Sequence, residues 1–425
     1  MKIFMKKQFS YHKDIIYNFI WRSLQVVSKQ GIIFIIFILC AKLLSPYEFG
    51  IYNYVLAIVF FLIIFGDFGI STATSKYVAE YNTTNKEKLK AVLFNSGIII
   101  LGLTIIVILL TLIIGPYYLK DKYIYVLWLL PLIFLAPITS LFDGIYRGLN
   151  KFKQLAIISI IVGFISIFLV YFSVKQYGLI GALISQNLFY LILLVGLGLG
   201  HRDFNFKVNK DVISEIGKYS LILGIASLGF FLFTRINILI LAHFNLITEI
   251  GYYELINKIL LILLLPFFIL AQVISPKVTE TYIKGDIHNL KRKYIKYIIF
   301  SILSSSILAL IVYLSLPIIL KVFLRDYYNS QLISAFNLMI IVLVSQAVST
   351  VVSIGFSTSS GYAKLNMYFL LIFGLMNLIL STILVKQIGF FGIIYSTVIL
   401  RVLGDISFTF AYFYKLNKIN NKNEK

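Results

Sequence analysis

Residues 43–81 read LLSPYEFGIYNYVLAIVFFLIIFGDFGISTATSKYVAEY. Between Ile51 and Ser75 this stretch holds one charged residue, Asp67, and Lys76 follows it. At 1.5 Å per residue such a helical run covers roughly 37 Å, more than the ~30 Å of hydrocarbon in a bilayer. Lipid offers no partner to backbone amides and carbonyls, so an apolar run of this length is helical. A β-barrel strand would be about ten residues long and would alternate apolar with polar residues. This run does neither.

The pattern recurs along all 425 residues. Twelve runs stand out, at about 17–44, 51–75, 91–114, 123–146, 154–174, 178–200, 218–243, 251–275, 294–316, 330–356, 365–385 and 389–414. We number them span 1 to span 12. The longest polar connections, 201–217 and 276–293, are too short for a separate soluble domain. The predicted fold class is therefore an all-α polytopic membrane protein with about 12 transmembrane helices. Apolar residues make up 60% of the chain, charged residues 13%, and the mean hydropathy is +0.93. Soluble domains are ~45–50% apolar and ~25% charged, so an ordinary soluble enzyme is excluded.

Thirty-eight Lys and Arg against 17 Asp and Glu leave a formal charge of +21. In a soluble chain that excess points to nucleic acid. In a membrane chain it reports orientation, because cytoplasmic connections concentrate Lys and Arg. With the N-terminus inside, the tails and even-numbered connections carry twenty-six of these bases. The odd-numbered connections carry seven: Lys42, Lys120, Lys122, Lys175, Lys321, Arg325 and Lys386. This predicts N-in and C-in termini, a multi-pass protein of the cytoplasmic (inner) membrane, and no nucleic-acid partner. The opening MKIFMKKQFSYHKD reads as a cytoplasmic tail rather than a cleaved signal peptide. Cys40 is the sole cysteine, and His12, His201, His243 and His288 show no ligand spacing. Neither a disulfide nor a metal site nor a cofactor is expected.

The two halves of the chain repeat. Glu48-Phe-Gly50-Ile-Tyr52 returns as Glu249-Ile-Gly251-Tyr-Tyr253, and at the same offset Lys76 meets Lys277 and Tyr81 meets Tyr282. Val174-Lys-Gln-Tyr-Gly178-Leu-Ile-Gly181 returns as Val385-Lys-Gln-Ile-Gly389-Phe-Phe-Gly392. Span 2 thus matches span 8 and span 6 matches span 12. An even number of spans separates the copies, so the repeat is parallel, the arrangement of transporters that bind substrate between two halves. The expected organisation is a six-helix half over 1–200, a cytoplasmic connection over 201–217 that can lie along the inner surface as an amphipathic segment, and a second half over 218–425, with a central cavity.

These residues resemble a known family. The segment 43–81 quoted above is similar to the second-helix signature of polysaccharide exporters in the multidrug/oligosaccharidyl-lipid/polysaccharide superfamily. FDGIYRGLNKFKQLAIISIIVGFISIFLV, residues 142–170, and QYGLIGALISQ, residues 176–186, resemble their helix 4 to helix 6 region. The resemblance covers nearly the whole chain. It implies a flippase for polyprenyl-diphosphate-linked oligosaccharides, such as O-antigen, capsule or exopolysaccharide units, with polysaccharide polymerases and glycosyltransferases as partners.

Ionisable residues inside spans are costly and are candidates for function. Arg22 and Lys29, seven apart on one face of span 1, form either a cationic wall that receives a diphosphate or a pair of snorkelling bases. Arg235 lies within FFLFTRINILILAHF of span 7, with no acid one turn away. Its guanidinium offers a planar fork to phosphate oxygens; the other reading is a pair with an acid on another helix, such as Asp67. Arg401 and Asp405 are four apart and are expected to pair, or to contribute a cavity cation. Glu254 with Lys258 and Asp143 with Arg147 have the same spacing and are expected to be structural pairs. Asp67 either pairs with a base of span 1 or span 7 or carries a coupling proton. Pro137 and Pro266 bend their spans and are candidate hinges, or merely curve the helix.

Three functions are weighed. A flippase would place the diphosphate on cavity cations. A multidrug and toxin extrusion antiporter, which exports organic cations, would present acids to the cavity; here Lys29 and Arg235 outnumber the candidate cavity acids, and spans 1 and 7 contain none. A membrane polymerase or glycosyltransferase would need a large outer loop, whereas the connection near 115–123 is only GPYYLKDKY. With neither paired carboxylates nor a Gly-rich nucleotide loop, the expectation is a transporter and not an enzyme. Coupling to H+ or Na+ is left open.

Overall fold

The computed structural model describes residues 2–200 and 206–423, and the side chains of 20–200 and 206–418. His201, Arg202 and the side chains of the basic N-terminal tail lie outside the described residues. All regular structure among the described residues is helical. The first half contains α1 (Lys2–Leu43), α2 (Pro46–Asp67), α3 (Ile70–Thr84), α4 (Lys86–Leu119), α5 (Tyr123–Trp128), α6 (Leu130–Gly148) and α7 (Phe152–Leu199). The second contains α8 (Lys210–Thr234), α9 (Ile236–His243), α10 (Ile247–Leu263), α11 (Leu265–Ile283), α12 (Ile287–Phe323), α13 (Ser330–Thr350), α14 (Ala363–Ile388) and α15 (Phe390–Asn423).

Eleven helical stretches among the described residues are long and apolar enough to cross a membrane. The longest, Phe152–Leu199, holds two spans, because Gly178 at φ 55, ψ −131 interrupts it. The count of about twelve follows. Gly389, the repeat partner of Gly178, separates α14 from α15 at φ 61, ψ −138. Glycine adopts this left-handed backbone without the Cβ clash that other residues suffer. The next glycines of the motif are equivalent too. A Cβ on Gly181 would lie 1.9 Å from the Ser173 carbonyl oxygen, and one on Gly392 would lie 2.4 Å from that of Leu384, the matching residue. Both turns therefore bring a helix onto the backbone of the helix before it.

The other repeated glycines mark a reciprocal crossing. A Cβ on Gly50 would meet the Ile247 carbonyl oxygen at 1.9 Å, and one on Gly251 would meet that of Pro46 at 3.2 Å. The starts of α2 and α10 thus cross backbone to backbone, each glycine admitting the other segment.

Packing divides the chain into two compact units, Met1–Leu44 with Val55–Ser227, and Ser45–Tyr54 with Leu228–Lys425. The boundary differs from one drawn at 201–217, because the first half of α8 packs with the first unit. Val212 and Ile216, both at 0% exposure, join Ile70, Val92 and Ile145 in its core. The Asn95 amide donates to the Lys207 carbonyl (3.1 Å), and its oxygen accepts from the Asn209 N–H (2.8 Å). Asn209 in turn caps α8 at Asp211 and Val212. Much of the expected inner-surface segment is therefore the first turns of α8, held by Lys88–Glu215 at 2.8 Å and by the Tyr81 hydroxyl on Glu215. The second unit packs around Tyr294, Phe356 and Tyr412, with π-helical turns at Val351–Thr358.

Gly50→Val should lower the melting temperature of the detergent-purified chain by several degrees, since crowding a packed contact costs about 1–3 kcal/mol. Gly97→Ala, which meets nothing within 4 Å, should leave melting unchanged or raise it slightly.

Candidate ligand-binding site

Span 7 does not run as one helix. α8 stops at Thr234, and α9 starts at Ile236, with Arg235 between them at φ −125, ψ −20. An opened turn inside lipid must find substitutes for its hydrogen bonds. The Arg235 N–H still donates to the Phe231 carbonyl at 2.7 Å, and the Asn377 amide takes the next carbonyl, that of Leu232, at 3.1 Å. Just beyond the break, the Asn237 amide donates to the Tyr253 hydroxyl (2.9 Å) and the Thr397 hydroxyl (2.8 Å). The Asn237 oxygen accepts from Ser381 at 3.1 Å, and Ser381 also meets Asn377 and Ser396. Asn237, Tyr253, Asn377, Ser381, Ser396 and Thr397 are all buried. This lattice from four spans fixes the place where the helix opens.

At the opening, Nη1 of Arg235 donates to Oε2 of Glu254 at 2.9 Å. The Glu254 side chain is 3% exposed and that of Arg235 32%. Lys258, Asn257, Gln346 and Arg401 line the same cleft, about 150 Å³ in volume. Arg401 places its guanidinium 5.5 Å from the centre of the Phe233 ring, and its Nε is buried with no hydrogen-bond partner among the described residues. Three bases and one acid leave the cleft a net charge of about +2. Arg235 precedes the end of α9 by eight residues, or about 12 Å along the axis. Bases at that depth are costly unless an anion faces them, and charge–charge contacts there are strong. The arrangement can bind a small multivalent anion.

Several expected pairings differ. Arg401 and Asp405 do not form the predicted salt bridge: Asp405 accepts from the Ser345 hydroxyl at 2.9 Å, while Arg401 stacks on Phe233. Glu254, expected to pair with Lys258 along its own helix, also accepts from Arg235 of the neighbouring span, and it stays within electrostatic reach of Lys258. Asp67 pairs with no base of span 1 or span 7 among the described residues. Its carboxylate accepts from the Ser71 N–H (3.0 Å) and hydroxyl (2.5 Å), capping the start of α3. Asp143 and Arg147 do pair, at 2.7 Å.

The structure brings Arg235 and Arg401 into one cleft, in the second unit. Arg22 lies in the first unit, where it donates to Gln25 at 2.5 Å, within electrostatic reach of Asp143 and Arg147. Lys29 makes no hydrogen bond or ion pair among the described residues. Pro266 sits in the first turn of α11, where span 8 breaks at Leu264. Pro137 lies inside an uninterrupted α6; span 4 breaks instead at Leu129, next to Pro131.

Sequence reasoning missed the Asn237 network. Its signal was present: Asn377 and Ser381 stand four apart on one face of span 11, opposite Ser396-Thr397 in span 12. Polar side chains repeated at helical spacing within apolar runs indicate bonds between helices. Among the described residues no cluster of three or more His, Cys, Asp or Glu is placed to hold a metal.

Residues 15–282 match the family model described as polysaccharide biosynthesis protein. The chain belongs to this family, within the multidrug/oligosaccharidyl-lipid/polysaccharide exporter superfamily. It is similar to an uncharacterized membrane protein of Methanocaldococcus jannaschii, 26% identical over 391 residues, which cover 86% of this chain and 89% of the other. Its fold is similar to that of a multidrug resistance MATE family transporter of the superfamily, solved in an inward-facing conformation. That match has a TM-score of 0.79 at 15% identity, with 94% of this chain and 96% of the other covered. A second similar structure is a superfamily transporter from Pyrococcus furiosus, whose binding pocket is described as reversed in polarity. Here the TM-score is 0.68 at 16% identity, with 96% of each chain covered. The protein is a multi-pass membrane transporter of this fold.

A double-mutant cycle on purified, folded chains should separate the two arginines. Arg235 and Glu254 should couple by about 1–3 kcal/mol, and Arg401 and Asp405 by less than about 0.5 kcal/mol. Thermal unfolding of the single and double alanine variants reads both values.

Proposed function

We propose that this member of the polysaccharide biosynthesis family is a flippase. It moves polyprenyl-diphosphate-linked oligosaccharide units from the cytoplasmic to the outer leaflet of the cytoplasmic membrane. The units feed assembly of O-antigen, capsule or exopolysaccharide, with polymerases and glycosyltransferases as working partners. The chain acts as a transporter and carries out no bond chemistry of its own.

The observation that carries this reading is the cleft of Arg235, Lys258 and Arg401, with its single acid Glu254, inside apolar spans. A guanidinium fork matches phosphate oxygens in shape and charge. Arg401 holds a buried N–H donor without an acceptor, which a phosphate oxygen would satisfy. A drug-type organic cation would be repelled by the same three bases. In this mechanism the diphosphate sits on the cleft cations, the sugars stay in water, and the isoprenoid tail stays in lipid. Arg22 and Lys29, on the cytoplasmic part of α1, are further candidate headgroup bases, in the first unit. Alternating access follows if the headgroup binds the inward and outward states with different affinity.

In cells depleted of the native protein, Arg235→Ala should abolish surface polysaccharide while the variant still inserts at normal abundance. Arg235→Lys should recover part of it, keeping the charge and losing the fork. Surface polysaccharide is measured against membrane abundance of each variant. Full export by Arg235→Ala would sink the assignment.

A further inference from the structure

Glu254 has no part in the mechanism above, yet it occupies the cation on which that mechanism depends. Its side chain is 3% exposed, and its carboxylate holds Nη1 of Arg235 at 2.9 Å. Carboxylate and phosphate oxygens compete for the same face of a guanidinium. An anion that takes the fork bearing Nη1 of Arg235 must therefore displace Glu254. The displaced carboxylate cannot be left unpaired at this depth, because a buried lone charge is strongly unfavourable. The place for it is on the same helix. Lys258 follows Glu254 by one turn of α10 and lines the same cleft, and residues four apart share a helix face. With Glu254 on Lys258, Arg235 and Arg401 remain and carry two positive charges. A diphosphate diester carries two negative charges, one on each phosphorus.

We propose that Glu254 is an exchangeable internal counter-ion. It neutralises Arg235 while the cleft is empty, and it passes to Lys258 when a diphosphate diester enters. The proposal rests on the headgroup-binding reading of the cleft and adds how the headgroup leaves. Two guanidinium groups in a low-dielectric site hold a diphosphate tightly. The returning carboxylate competes for one of them, so bound and empty states stay close in free energy and release is fast. The exchange also selects the ligand. A lipid alcohol has no charge to displace Glu254, whereas a diphosphate diester has one for each arginine.

The test uses the full chain in lipid nanodiscs and a farnesyl-diphosphate-linked hexose as probe, with farnesyl monophosphate and farnesol as controls. Calorimetry reads binding, and vesicles of the same lipid read transfer between leaflets. Glu254→Gln should bind the probe about tenfold to a hundredfold more tightly, since a charge-assisted bond no longer has to be broken, and should transfer it more slowly. Lys258→Gln should bind at least about tenfold more weakly, because the displaced carboxylate loses its partner. Adding Glu254→Gln to Lys258→Gln should restore binding, a rescue that a purely structural Glu254 would not produce. If Glu254→Gln does not fold, Glu254→Asp, which reaches Arg235 less well, should show the same tightening in smaller measure. Loss of binding in Arg235→Ala and Arg401→Ala, with no tightening and no rescue at 254, would overturn the exchange and leave the cleft reading standing. Wild-type binding by Arg235→Ala and Arg401→Ala would overturn the cleft reading and the exchange with it.

Discussion

The cost of holding the Arg235 guanidinium within the apolar part of a membrane span shapes the second unit. A cation there needs a counter-charge, and Glu254 supplies it from the next span. The helix opens where Arg235 reaches across, and the opening leaves the Leu232 carbonyl, which lipid cannot satisfy. Asn377 takes the Leu232 carbonyl, and Asn237 ties the restart of the helix to Tyr253 and Thr397. Those bonds in turn demand Ser381 and Ser396 close by. One charge therefore accounts for a helix break, a buried polar lattice and the position of a third base, Arg401, on the wall of the same cleft.

The internal repeat supplies the frame around that site. Gly178 and Gly389 turn the chain through nearly the same backbone angles. Gly50 and Gly251 let the starts of α2 and α10 cross at backbone distance. The chemistry is not repeated with the frame. At the offset that aligns Gly50 with Gly251, the counterpart of Glu254 is Asn53, an uncharged residue whose amide bonds to its own helix at the Phe49 carbonyl. The cleft of three bases and one acid therefore has no copy at the repeat position. Among the described residues of the first unit, Arg147 pairs instead with Asp143, and Arg22 donates to Gln25.

Much of this was legible in the residues. Runs of apolar residues marked the spans, and the glycine motifs marked the repeat, because both patterns reflect local requirements of helix length and backbone approach. Arg235 was legible as a costly charge. Its partner was not, because spacing along one helix identifies neighbours on that helix and says nothing of the helix packed against it. The i,i+4 rule suggested Arg401–Asp405, where contacts from other helices intervene, Phe233 under Arg401 and Ser345 on Asp405; at Glu254 it left out the added partner Arg235. It succeeded at Asp143–Arg147, near a helix end. The break at Arg235 escaped notice because neither glycine nor proline marks it; polar side chains from spans 11 and 12 hold it open.

The central claim, that this chain carries a lipid-linked diphosphate sugar from one leaflet to the other, is tested most directly in proteoliposomes holding the purified chain alone. A polyprenyl-diphosphate-linked oligosaccharide is loaded into both leaflets, and an impermeant sugar-oxidising enzyme is added outside. The account predicts that the protected inner-leaflet pool becomes oxidised in vesicles with the wild-type chain, and stays protected in empty vesicles and in vesicles with Arg235→Ala. A pool that stays protected with a folded wild-type chain, under an imposed proton gradient, sodium gradient or membrane potential, would contradict it.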